Sequence, residues 1–106
     1  MQKDVIFTEI GNILVAEIQS DIDHHSAKAM REKIDTALFE KRARTLVIDF
    51  SRVQFMDSSG LGLILGRVER AGALGAEVQV SGLSPTLMKL VRLAGIEHIP
   101  GLSLTR

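Results

Sequence analysis

Apolar residues along this chain recur at two periods, and the changes between them mark its elements. Val5 to Ile10 and Ile13 to Ile18 are rich in strand formers, and Gly11-Asn12 between them suits a two-residue hairpin turn. Asp23 can cap a helix running to about Lys41, because Ala27, Met30, Ile34, Ala37 and Leu38 fall at helical spacing. Leu46-Val47-Ile48 is a short, continuous apolar run, which predicts a strand covered on both faces. A second helix is predicted from about Ser58 to Ala71, with Leu61, Ile64, Val68 and Ala71 on one stripe and Gly72 or Gly75 ending it. Val78 and Val80 alternate with Glu77 and Gln79, the pattern of a half-buried strand. Ser84-Pro85 pairs a cap with a first-turn proline, Leu87, Leu90, Val91 and Ala94 form the inner face of a third helix, and Gly95 stops it. Ile96 to Ile99 could form one last short strand.

The order β-β-α-β-α-β-α, with that optional strand, predicts an α/β fold: a small mixed sheet with helices packed against it. Its parallel pairs would be joined by right-handed crossovers. Sites in such sheets lie beyond the carboxyl ends of parallel strands. Two loops leave such ends, Ser20 to His25 and Phe55 to Ser59. If their strands are neighbours, Asp23 and Ser58 share one surface.

Composition narrows the function. The 106 residues suit one domain, 1–106, and a hydrophobic fraction of 45% is enough for a core. No apolar run approaches the ~20 residues that span a bilayer. Met1-Gln2-Lys3-Asp4 does not look like a signal peptide, and the absence of Cys excludes disulfides and thiolate metal sites. The expectation is a cytoplasmic protein with no membrane attachment. Thirteen basic and thirteen acidic residues cancel, which argues against nucleic acid as a partner. Against that neutral background one phosphate, about −1.5 to −2 charges, is a large change.

The chemistry concentrates in Asp57-Ser58-Ser59-Gly60-Leu61-Gly62, where a strand region ends and a helix begins. A helix start presents unpaired N–H groups and the positive end of the macrodipole. Asp57 or one of the serines could simply cap it; alternatively a serine accepts a phosphate. Gly60 and Gly62 each weaken the first turns by about 1 kcal/mol relative to alanine, which calls for a reason such as access or tight packing. The run is not the G-x-S-x-G elbow of a hydrolase, although His24, His25 and His98 are available as bases. Asp21, Asp23, His24 and His25 could suggest a metal, but adjacent helical histidines point about 100° apart, so no metal and no cofactor is expected. The Gly60-Leu61-Gly62 run with Gly66 matches neither the dinucleotide fingerprint nor a phosphate-binding loop. Asp49 at a strand end lacks the companion acids of a phosphoryl-accepting receiver.

Asp21-Ile22-Asp23-His24-His25, Val47-Ile48-Asp49-Phe50, the run from Phe55 to Arg67 and Leu83-Ser84-Pro85 together resemble the STAS domain, and within it the sporulation-type anti-sigma factor antagonists. The double histidine favours that branch over the general-stress one. The resemblance implies a switch and not an enzyme. The unmodified antagonist, a monomer when free, would bind an ATP-bound anti-sigma factor that is also a serine kinase, freeing the sigma factor. Phosphorylation would release it, and a serine phosphatase would reverse the step. The family's phosphoserine falls on Ser58 and its loop acid on Asp23; Asp57, Ser59 and Gly60 would shape the same partner-binding surface. A small-molecule-sensing STAS domain is the alternative. Ser20 stands where the family usually has glycine, and Leu93, with Leu102 or Leu104, is expected to be less covered than the core.

Overall fold

The computed structural model describes residues 4–105, so Met1, Gln2, Lys3 and Arg106, which the expected domain and the leader reading include, lie outside the described residues. Two strands, β1 (Val5–Ile10) and β2 (Ile13–Ile18), form a hairpin through Gly11-Asn12. Then follow α1 (His24–Lys41), β3 (Thr45–Asp49), α2 (Ser58–Ala73), β4 (Glu77–Ser81), α3 (Pro85–Leu93), a 3-10 turn at Ile96–His98 and β5 (Leu102–Leu104). The sheet order is β1-β2-β3-β4-β5, antiparallel in the hairpin and parallel thereafter. The expected small mixed sheet with helices against it is therefore the observed fold.

Strand alternation decides what is buried. Leu14, Ala16, Ile18, Leu46, Ile48, Val78 and Val80 point to one side and are sealed from water. The inner residues of all three helices, among them Met30, Ile34, Ile64, Leu87 and Val91, join them in a single cluster. The other side of the sheet carries Val15, Val47 and Gln79, which remain half-buried. β3 is thus covered on one face only, a correction to the reading of Leu46-Val47-Ile48. A continuous apolar triplet reports no direction, and here Val47 lies opposite the face the helices cover.

The chain's end also differs from expectation. Ile96 and Ile99 lie three apart, and the segment winds into a 3-10 turn that buries Ile96. Gly95 and Gly101 take left-handed backbone (φ +74° and +87°) on either side of it, and Pro100 has no N–H to give a ladder. The last strand forms after them, Leu102 and Leu104 pairing with Val78 and Val80. Both leucines are half-buried, and Leu93 on α3 is 77% exposed.

α1 and α2 run side by side over the sheet, and one ion pair locks them. Arg67 is 4% exposed, with Nε 2.7 Å from Asp35 Oδ1. The angle falls short of a hydrogen bond, leaving Arg67 Nε and Nη1 without such a partner among the described residues. Burial pulls the guanidinium below its ordinary pKa, and the Asp35 charge opposes that.

Candidate functional site

Asp57 settles how α2 begins. Its backbone is extended, its carboxylate accepts the Ser59 N–H at 2.8 Å, and its carbonyl accepts the Gly60 N–H at 2.9 Å. With the cap supplied by Asp57, neither serine is needed for it. Ser58, the first helical residue, is exposed, whereas Ser59 is half-buried on the side of α1. Among the described residues neither hydroxyl makes a hydrogen bond through its side chain, so no imidazole is engaged with Ser58 as a base. Gly60 is buried: a Cβ there would lie 2.8 Å from Met56 Cγ and 2.9 Å from Met56 Cβ.

Asp23 caps α1 through a reciprocal box. Its carboxylate accepts the Ser26 N–H at 2.8 Å, and its own N–H donates to Ser26 Oγ at 3.0 Å. Donation from the Ser26 backbone N–H is the largest cause holding this carboxyl below its ordinary pKa. β2 and β3 are parallel neighbours, so their exit loops meet at one end of the sheet. Ile22 and Met56 form a single parallel bridge there: the Ile22 N–H donates to Phe55 O and the Asp57 N–H to Ile22 O, each at 3.1 Å. Asp21 ties the loops further, one carboxylate oxygen accepting the N–H groups of Gln54 at 2.9 Å and Phe55 at 3.1 Å. Asp23, Asp57, Ser58, Ser59 and Gly60 are thereby gathered on one end of the molecule. Ser20 keeps a negative φ, so its loop needs no glycine.

Three features of this end escape a reading by motif. The Asp21 clasp joins residues 33 and 34 positions apart, a distance no local pattern reports. Phe55, 60% exposed, lies with Leu90 and Leu93 along a shallow apolar cavity of about 360 Å³ beside the loop that leads into α2. A third feature, a cavity of about 330 Å³, runs between α1 and α2 and is lined by His24, Ala27, Lys28, Arg31, Ser59, Gly62 and Leu63. The helical spacing of residues 24, 28 and 31 was the available signal for that wall. His24 and His25 stand edge to face with ring centroids 6.0 Å apart; among the described residues no group of three or more His, Cys, Asp or Glu is close enough to hold a metal. Nor, among the described residues, is any helix long and apolar enough to cross a membrane.

The STAS domain model matches residues 4–106. This chain belongs to the STAS domain family. The domain is 32% identical over 87 residues to the anti-sigma F factor antagonist of Paenibacillus polymyxa, a match covering 82% of this chain and 74% of that protein. It superposes on the anti-sigma factor antagonist SpoIIAA in its unphosphorylated form with a TM-score of 0.73 and 29% identity, over 96% of this chain and 87% of the other. It superposes equally on the Bacillus cell fate determinant SpoIIAA in the phosphorylated form, with a TM-score of 0.71 and 30% identity, over 96% and 91% of the two chains. The STAS resemblance read from the motifs and the fold it implied are therefore both found.

Proposed function

We propose that this STAS domain is an anti-sigma factor antagonist switched by phosphorylation of Ser58. Unmodified, it binds a cytoplasmic anti-sigma factor that is also an ATP-bound serine kinase and so releases a sporulation sigma factor. Phosphorylation ends the binding, and a serine phosphatase restores it. The observation that carries this reading is the contrast within the serine pair: Asp57 supplies the cap, Ser58 stands exposed at the first helical position, and Ser59 is turned toward α1. A relative that is an anti-sigma F factor antagonist, and SpoIIAA structures in unphosphorylated and phosphorylated forms, support the assignment.

The physics of the switch follows from the position of Ser58. A phosphate there adds about −1.5 to −2 charges beside Asp57 and on the face that carries Asp23. The α2 dipole offsets part of that repulsion, by about 0.3–1 kcal/mol when exposed, so the modified domain stays folded. The penalty falls on the complex, where charge is desolvated or meets acidic groups. A loss of at least about 1.4 kcal/mol, tenfold in affinity, is expected. The test is to incubate wild type, Ser58→Ala and Ser59→Ala with the anti-sigma factor and ATP and map the phosphopeptide. Both forms are then titrated and melted. Phosphate on Ser59 in the wild type, or equal affinities of the two forms, would overturn the reading; weaker binding with a collapsed melting temperature would mean that unfolding breaks the complex.

A further inference from the structure

The groove between α1 and α2 has a charge pattern that the switch at Ser58 leaves unused. One wall is the face of α1 that presents His24, Lys28 and Arg31, all exposed. The other is the start of α2, with Ser59 and the open backbone of Gly62, where a Cβ would meet nothing within 4 Å. Ala27 and Leu63 make its apolar lining. No acidic side chain lines it, and neither Lys28 nor Arg31 has an ion-pair partner among the described residues. Asp35, one turn past Arg31 on α1, is already committed to Arg67 of α2 at 2.7 Å and lies 4.0 Å from Arg70. In a chain whose thirteen basic and thirteen acidic residues cancel, this is a segregated positive strip.

We propose that this groove is a docking channel for an acidic segment of the protein partner, its carboxylates set against Lys28 and Arg31 and an apolar side chain resting on Ala27 and Leu63. The proposal rests on the antagonist reading above. Dimensions favour a segment over a single ion. At 1.5 Å per residue, His24 and Arg31 stand about 10 Å apart along the helix, more than one phosphate can bridge. Carboxylates three or four residues apart on a helix, about 5–6 Å between Cβ atoms, match the step from Lys28 to Arg31. The apolar lining takes a methylene stem or methyl group, which a bare anion lacks. The channel begins at Ser59, so a partner reaching Ser58 lies over its mouth. Desolvated cations there would slow dissociation, and the field of the strip would speed encounter.

The test has two arms. In the first, the full chain is titrated with hexaglutamate, with hexaglutamine and with inorganic phosphate while backbone amide shifts are followed. Hexaglutamate alone should move Ala27, Lys28, Ser59 and Gly62, and the double variant Lys28→Glu/Arg31→Glu should abolish the effect. Absence of shifts, or equal shifts with phosphate at the same concentration, overturns the proposal, the second outcome meaning an adventitious ion only. In the second arm, the same double variant is titrated against the anti-sigma factor. Affinity should fall by at least about tenfold, with a shallower salt dependence. Wild-type affinity in a variant that melts like wild type overturns the docking channel and leaves the switch intact. If the wild-type domain binds no anti-sigma factor, the antagonist reading fails and the peptide titration alone decides the groove.

Discussion

Gly60 and Gly62 sit two residues apart in the same helix, and alanine should have opposite effects at the two positions. In an isolated helix each replacement would gain about 1 kcal/mol. At Gly62 nothing lies within 4 Å of the added Cβ, so that gain should survive. At Gly60 the added carbon would lie 2.8 Å from Met56 Cγ and 2.9 Å from Met56 Cβ. Met56 is 3% exposed and held by the Ile22 bridge, so it has little room to retreat. Overpacking of this kind costs about 1–3 kcal/mol, which outweighs the propensity gain and leaves Gly60→Ala about 1 kcal/mol less stable than wild type. In a domain of this size 1 kcal/mol corresponds to about 4–8 °C in Tm. The two variants should therefore melt on opposite sides of wild type, by about one such step each. Calorimetry or urea titration followed by circular dichroism reads the difference. If Gly60→Ala melts as high as Gly62→Ala, the close approach of α2 to Met56 is not what demands the glycine.

Asp21→Ala removes the clasp between the two loops; it should lower stability by about 1 kcal/mol and speed hydrogen exchange at Gln54 and Phe55, while unchanged exchange would remove the clasp from the account. Asp23 titrates below its ordinary value of 3.8 in the folded state, so its cap is at full strength above that value and is lost as pH falls through and below it. Asp23→Asn should therefore flatten the acid limb of the stability curve below about pH 4 while leaving neutral stability close to wild type; an unchanged limb would refute the assignment. Asp35→Ala strands the buried Arg67 charge and should cost about 3 kcal/mol, the low end for a broken buried pair, since Asp35 keeps a fifth of its side chain in water. A chemical denaturation midpoint within error of wild type would show that the pair contributes nothing.

Features set by neighbours along the chain are legible without the fold. The hairpin at Gly11-Asn12, the caps Asp23 and Ser84, the proline-led third helix and the strand–helix alternation all act within a few residues, so they could be read directly. The serine pair was legible as a helix start because its cap is one residue away. Periodicity could not say which side of a strand the helices would cover, so the open face behind Val47 was missed. Nor could it choose between Ile96–Ile99 and Leu102–Leu104 as the final strand, since that depended on where β4 offered a free edge. The surroundings of each site residue come from the packing of distant segments. That packing made Asp57 the cap and left Ser58 exposed, packed Gly60 against Met56, joined the loops through Asp21, and laid Lys28 and Arg31 along a groove with Gly62 opposite. These are contacts between residues up to 34 positions apart, set by which strands lie side by side and how two helices pack across them.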